Sequence, residues 1–261
     1  MRPVPVLMYH HISPHKKDMV TVTPEVFEKQ MEHLCKSGYK TLTLDELLSY
    51  INGDLIPEQR AVAVTFDDGW LDNYIYAFPV IEKYKIHASI FIITGKTEKA
   101  SENQAQIPFQ VPTHKESKLM IEKGREQRVL LNWELIKKMS ATGLVAFYSH
   151  TKSHKKCSAL PETELSEELR ESKQALEKKL GKDCPYLCWP YGDYNNVAVK
   201  VAKDAGYKAL FTIEHGVVKK GDDPFAVKRI VVKDNEAWFK NRMTVYTNSI
   251  LSGLYLKIKK K

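Results

Sequence analysis

Short apolar runs rich in β-branched residues alternate along this chain with segments of helical character. Strands joined through helices lie parallel in one sheet, because each helix carries the chain back to the edge where the next strand starts. The 261 residues can bury one large core, and no Gly/Ser-rich or low-complexity linker divides them. We therefore predict a single α/β domain over residues 1–261. Its predicted strands are Val4–Tyr9, Ala61–Phe66, Ala88–Ile93, Leu144–Ser149, Tyr186–Trp189, Ala209–Ile213 and Val227–Val232.

Residues that commonly begin and end helices lie between these strands. The predicted helices begin after Thr23-Pro24, at the Thr43/Glu46 capping box, after Asn132 and near Glu162, and Gly38, Gly143 and Gly181 follow three of them. This order of elements is typical of a β/α barrel.

Residues 96–130 interrupt the alternation. From Lys96 to Arg128 the chain is polar, rich in Lys, Glu and Gln, and without a clean helical or strand period. We interpret it as a long loop or insertion, although a disordered surface excursion would have the same composition. Loops on the carboxyl side of the strands in α/β folds often shape the substrate site.

Two adjacent carboxylates, Asp67 and Asp68, follow the apolar strand Ala61–Phe66 and precede Gly69. Consecutive strand residues point to opposite faces, so both can serve one site only where the backbone turns, which glycine permits. A bound cation would remove their mutual repulsion and leave one as ligand and the other as base. Asp-Asp-Gly alone is also a common turn sequence.

Two histidines four residues apart, His150 and His154, come directly after another apolar strand. This spacing places both imidazoles on one side of a helical turn, where they can hold the same ion. An aspartate and two histidines leave a position open for water, as in catalytic zinc sites.

A third motif, Trp189-Pro190-Tyr191-Gly192, leads from a strand into a turn. Such a turn can present a backbone N–H and an aromatic ring to one cleft.

Together, the order Thr-Phe-Asp-Asp-Gly, His-Thr-x-x-His and Pro-Tyr-Gly resembles the NodB-homology polysaccharide deacetylases, carbohydrate esterase family 4. The resemblance extends from about residue 4 to residue 232. Two segments, Val6–Ile12 and Leu131–Val145, are similar to the branch that deacetylates poly-N-acetylglucosamine.

The resemblance implies a distorted (β/α) barrel with about seven mostly parallel strands, and a divalent metal, usually Zn²⁺. It assigns Asp68, His150 and His154 as metal ligands and Asp67 as the general base that deprotonates the attacking water. The backbone N–H of Tyr191 would stabilise the oxyanion. The expected substrate is an amino-sugar glycan, and the products are acetate and a free amine. Residues expected to bind this substrate are Trp70, Trp189, Pro190, Tyr191 and Gly192.

Two departures from the family pattern concern the acid and the partner of the base. Cys188 stands where the family usually has an arginine that pairs with the base aspartate, and Arg229 is a candidate replacement. The late Leu-x-His motif that supplies the acid has no counterpart, since no histidine follows His215. We therefore expect His10 to be the acid, with His11 or His215 as alternatives.

Charge and cysteine content limit the possible partners. The net charge is +8, but no basic-aromatic motif indicates nucleic acid, which we exclude as a partner. Residues 256–261 form a basic tail, expected either to be solvated or to attach weakly to an anionic membrane. The four cysteines form no CxxC pair and are expected to be reduced. The oligomeric state stays open.

Met1-Arg2-Pro3 leads directly into a strand-like segment without a signal peptide, so a cytoplasmic location, or the cytoplasmic face of a membrane, is expected unless a leader has been removed. A cytoplasmic location would suit an alternative substrate, a lipid-linked or lipopolysaccharide core amino sugar. An alternative of another class is a glycan-binding pseudoenzyme, which would not need both base and ligands.

Overall fold

The computed structural model describes residues 1–15, 18–102 and 110–259. Ten strands lie within these ranges: β1 (Val6–Tyr9), β2 (His11–Ile12), β3 (Thr21–Val22), β4 (Lys40–Thr41), β5 (Ala61–Phe66), β6 (Ala88–Ile92), β7 (Val145–Ser149), β8 (Tyr186–Cys188), β9 (Ala209–His215) and β10 (Val227–Val231). All seven strands that the sequence predicts are present, as β1, β5, β6, β7, β8, β9 and β10.

Seven of these strands close into a parallel barrel. Their order around the ring is β1, β10, β9, β8, β7, β6 and β5, and pairing of β5 with β1 closes it. β4 adds to β5, whereas β2 and β3 form a separate short pair. β5 and β6 are buried at every residue, as expected for strands covered on both faces. The predicted seven-stranded distorted (β/α) barrel is confirmed.

Ten α-helices occur within the described residues, most of them around the barrel. They are α1 (Pro24–Lys36), α2 (Leu44–Asn52), α3 (Phe78–Tyr84), α4 (Thr94–Glu102), α5 (His114–Glu122), α6 (Trp133–Ala141), α7 (Glu162–Leu180), α8 (Asn196–Asp204), α9 (Glu236–Tyr246) and α10 (Ser249–Lys259). A π-helical turn, Asn73–Ala77, leads into α3.

The predicted helix ends are confirmed where capping chemistry is strong. Thr43 and Glu46 form the reciprocal bonds of a capping box at the start of α2. Asn132 accepts a hydrogen bond from the backbone N–H of Leu135 at the start of α6. α7 ends at Gly181, whose φ of 64° lies in the left-handed region that glycine adopts without strain.

Prediction of a loop for residues 96–130 was wrong in part, because the described residues there are largely helical. α4 continues directly from β6, and Thr113 and Glu116 form a second capping box at the start of α5. The weak apolar period of these short helices explains why the sequence did not reveal them. Residues 103–109 lie outside the described part. The segment returns to the barrel at Leu130, which pairs with Trp70.

The predicted basic tail was also wrong in part, because Leu256–Lys259 belong to α10 instead of a separate solvated segment. Lys260 and Lys261 lie outside the described residues. Within the described chain, no helix combines the length and apolar character needed to cross a bilayer.

Candidate metal centre

The Asp-Asp-Gly segment turns sharply at the carboxyl end of β5. Asp68 has a φ of 72° and Gly69 a φ of 73°, both in the left-handed region. A Cβ atom on Gly69 would lie 2.8 Å from Cγ2 of Ile92, so only glycine fits against β6. This turn brings the side chains of Asp67 and Asp68 to the same end of the barrel.

His150 and His154 lie in an irregular turn after β7. The prediction of a helical turn at this place was therefore wrong. Thr151 and His154 adopt left-handed φ values of 63° and 62°. Such strain persists only where surrounding contacts impose it. Here the backbone N–H of Gly95 donates to the carbonyl of Lys152 at 2.8 Å, and a Cβ on Gly95 would lie 2.7 Å from that oxygen.

Glu168 on α7 fixes the other side of this turn. Its buried carboxylate accepts a 2.9 Å hydrogen bond from the backbone N–H of Ser153 and a second one from the Ser153 hydroxyl. Nothing in the sequence motif marks Glu168 for this role, and the requirement for glycine at residue 95 was equally invisible.

Three potential ligand atoms converge at the mouth of the barrel. Asp68 Oδ1 lies 3.5 Å from His150 Nε2 and 3.3 Å from His154 Nε2. Ligands about 2.05 Å from a tetrahedral zinc ion are about 3.4 Å apart, which agrees with both separations. The donor set of one carboxylate and two imidazoles therefore fits a divalent metal. The side chains of Asp68 and His154 are 12% and 13% exposed, which leaves a path to solvent.

Neighbouring groups orient His150 and set the protonation of His150 and Asp68. His150 Nδ1–H donates to the carbonyl of Cys188 at 2.7 Å, which leaves Nε2 free to bind metal. Burial and the charge of His154 lower the pKa of His150 to about 4, so the imidazole is neutral at neutral pH. Burial opposes ionisation of Asp68, but hydrogen bonding and charge from His154 hold its pKa well below its usual value.

The adjacent Asp67 has a different partner, Arg229 on β10. Arg229 Nη1 and Nη2 donate to Asp67 Oδ1 and Oδ2, both at 2.7 Å, in a bidentate pair. Burial favours the neutral acid, but the charge and hydrogen bonds of Arg229 outweigh it and lower the pKa of Asp67. Arg229 therefore makes the contact with Asp67 that was expected of a replacement for the family arginine.

Cys188 lies within this buried pair, and Arg229 Nη2 is 3.0 Å from its sulfur. Burial raises the pKa of the Cys188 thiol well above its ordinary value. Cys188, Asp67 and His150 are close enough to form a second possible ligand group. We discount that group because the guanidinium already occupies Asp67 and would repel a cation.

His10 projects toward Asp67 from the end of β1. Its Nε2 lies 3.9 Å from Asp67 Oδ2, and its side chain is 23% exposed. His11 points elsewhere: it bonds Asp72 at 2.5 Å and His114 on α5 at 2.9 Å. The geometry therefore distinguishes the two neighbours, with only His10 beside Asp67. His215, the other alternative, contacts Tyr246 on α9.

The two tryptophans assigned to substrate binding are buried beneath the site. Trp70 donates to Asp68 Oδ2 at 3.0 Å and stacks on His11 at 4.2 Å between ring centroids. Trp189 is fully buried and stacks on Tyr194 at 5.7 Å. Their side chains support the site and do not reach its surface, which corrects the expectation for both.

The Pro-Tyr-Gly turn presents one side chain to solvent. Tyr191, with a left-handed φ of 59°, is 59% exposed, and its ring lies 4.5 Å from that of His154. Pro190 is buried, and a Cβ on Gly192 would lie 2.3 Å from Ile213 Cγ1. Pro190 and Gly192 therefore shape the turn, and Tyr191 is the member that can contact a ligand.

We expect Arg229→Met to destabilise the fold by about 3–5 kcal/mol, because it leaves the buried Asp67 without a counter-charge. Adding Asp67→Asn removes that charge, so the double variant should lose less stability than the sum of the single variants. Urea unfolding at equal metal content measures this. The exposed Arg60→Met serves as a control and should change stability by less than about 0.5 kcal/mol. Additive losses would show that the pair is not coupled.

Comparison with known proteins gives concordant matches. A family profile described as polysaccharide deacetylase matches residues 55–210. The poly-β-1,6-N-acetyl-D-glucosamine N-deacetylase of Staphylococcus aureus (strain N315) is 31% identical over 225 residues, covering 82% of this chain and 69% of that protein.

Solved structures share the fold over nearly the whole chain. IcaB from Ammonifex degensii has a TM-score of 0.72 at 26% identity and covers 92% of this chain and 98% of its own. The Streptococcus pyogenes deacetylase PplD, solved in complex with acetate, has a TM-score of 0.78 at 23% identity and covers 94% of this chain and 98% of its own.

Proposed function

Since this chain belongs to the polysaccharide deacetylase family, we propose that it is a metal-dependent hydrolase that removes N-acetyl groups from N-acetylglucosamine-type residues of a glycan. The observation that carries this proposal is that two adjacent carboxylates have different partners. Asp68 faces two imidazoles at metal-ligand spacing, whereas both oxygens of Asp67 accept hydrogen bonds from Arg229. One site thus contains a ligand set and a separate base.

Asp68, His150 and His154 would hold the divalent metal, and Zn²⁺ suits their donor set best. When bound, the metal supplies Lewis-acid activation of water and of the acetamide carbonyl. The protein's part is to hold the ligand atoms of His150 and Asp68 in place. The Cys188 carbonyl and Trp70 do this by fixing the orientation of His150 and Asp68.

Asp67 and His10 would move the protons. Asp67 stays ionised at neutral pH through its pair with Arg229 and accepts a proton from the attacking water. His10, 3.9 Å from Asp67, would donate a proton to the departing nitrogen. The water oxygen first bonds to the carbonyl carbon, which gives a tetrahedral oxyanion, and the C–N bond then breaks to give acetate and a free amine. The N–H of Tyr191 would stabilise the oxyanion.

The substrate proposal rests on the activity given for the S. aureus relative and on the exposed ring of Tyr191. The S. aureus relative acts, by its name, on poly-β-1,6-N-acetyl-D-glucosamine. Tyr191 beside His154 offers an exposed ring on which a sugar can pack next to the metal ligands. We therefore propose a β-1,6-linked N-acetylglucosamine polymer as substrate.

Acetate release from defined oligosaccharides tests the function. The protein would be incubated with β-1,6-linked and β-1,4-linked N-acetylglucosamine oligomers, and acetate and free amines would be measured together. We expect equal amounts of both products, preferentially from the β-1,6 series, with loss on chelation and recovery after addition of Zn²⁺. Metal-loaded protein that binds these oligomers but releases no acetate would instead identify a glycan-binding pseudoenzyme.

A further inference from the structure

Helix α10 carries an apolar face that the other described residues leave exposed. Ile250, Leu254 and Ile258 are 72%, 57% and 73% exposed, and Leu251 beside them is 43% exposed. Spacings of four residues place the first three on one side of the helix. We call these four side chains the α10 face. Exposed apolar side chains grouped on one face indicate an interaction surface.

The opposite side of α10 is fixed to the protein. Tyr255 packs against Tyr246 of α9 at 5.8 Å between ring centroids, and the Arg242 guanidinium lies 4.2 Å from the Tyr255 ring centre. Ser252 is buried. Because these contacts fix the rotation of the helix, the α10 face points away from the protein.

The charged side chains of the C-terminal segment that contains α10 are all positive. From Ala237 to Lys261 the sequence contains six basic residues and no acidic residue: Lys240, Arg242, Lys257, Lys259, Lys260 and Lys261. Lys257 is exposed on the same side of the helix as Ile250 and Leu254. An apolar stripe with lysines at its edge is the pattern of helices that lie in a membrane interface.

We propose that the α10 face docks on an anionic lipid surface, with its apolar side chains in the acyl boundary and its lysines among the headgroups. Association with a second copy is disfavoured, because it would bring together two basic segments without acidic partners. Within the described chain no helix can span a bilayer, so α10 would lie along the surface. This proposal does not depend on the deacetylase function.

Co-sedimentation of the full chain with vesicles tests the proposal. The vesicles would contain phosphatidylcholine alone or with about 30 mol% phosphatidylglycerol, an anionic lipid. We expect binding only to the anionic vesicles, and weaker binding as salt rises from about 0.1 M to about 0.5 M. The combined change Ile250→Ser, Leu254→Ser, Ile258→Ser should weaken binding at least about tenfold. Replacing Lys257, Lys259, Lys260 and Lys261 with serine should weaken vesicle binding about fivefold for each lysine removed.

A matched control changes exposed apolar residues elsewhere. Ile56→Ser with Val197→Ser alters side chains that are 59% and 47% exposed and should leave binding unchanged. Circular dichroism and sedimentation velocity would be recorded for every variant. Failure of the folded wild-type protein to bind anionic vesicles, or unchanged binding by the triple variant, overturns the proposal. A dimer that the triple variant abolishes would assign the α10 face to self-association instead.

Discussion

His150→Ala is expected to prevent stable metal binding and, with it, hydrolysis. His150 is buried and supplies one of three converging ligand atoms, so its removal leaves only Asp68 and His154. Loss of an outer-shell partner already weakens metal affinity about 10–100-fold, and loss of a ligand should exceed that range. Metal content after dialysis, measured by mass spectrometry, and acetate release provide the readouts.

Two further variants make this result decisive. His154→Ala removes the less buried imidazole, so it tests the same ligand set if His150→Ala folds poorly. His33→Ala changes a histidine on α1, away from the ligand set, and should retain both metal and activity. Full metal content in folded His150→Ala and His154→Ala would contradict the proposed ligands.

Asp67→Asn is expected to retain the metal and to lose about 10²–10⁴-fold in rate. The amide has the shape of the carboxylate and can still accept a hydrogen bond from Arg229, but it cannot take a proton from water. The proposed ligand atoms belong to other residues, so metal content should match wild type. The same metal analysis and single-turnover acetate release would be applied, with urea unfolding to confirm that the variant is folded.

Comparison of this variant with His150→Ala tests the assignment of the two carboxylates. If both variants lost the metal equally, Asp67 would be a ligand and its role as base would be wrong. If Asp67→Asn kept both metal and rate, another group would be the base, and the contact with Arg229 would have only a structural role.

The sequence predicted the barrel well because its strands are continuous apolar runs, which require burial on both faces. Residues following those runs must meet at one end of a parallel barrel, which explains why Asp68, His150 and His154 could be grouped in advance. The local conformation at the histidines could not be predicted in the same way. It depends on Gly95, which lies far earlier in the chain, and on Glu168 in the helix that follows, and both are recognised only by the atoms they contact.

The tryptophans show a second limit of sequence reasoning. A motif places Trp70 and Trp189 near the site, but whether a ring faces substrate or core depends on how the layers pack. Trp70 stacks on His11, and His11 makes an edge-to-face contact with His114, so these rings join the Asp-Asp-Gly turn, β2 and α5. No periodic pattern connects these three segments.

The position of Arg229 links assembly of the barrel to the chemistry of its site. β10 is the last barrel strand to emerge during synthesis, and it fills the gap between β9 and β1. The ligand-bearing turns precede it by many residues. Until β10 closes the ring, Asp67 lacks the bidentate guanidinium that holds it in the finished barrel. The orientation of this carboxylate is therefore set by the last barrel strand to be made, after the segments that carry Asp68, His150 and His154.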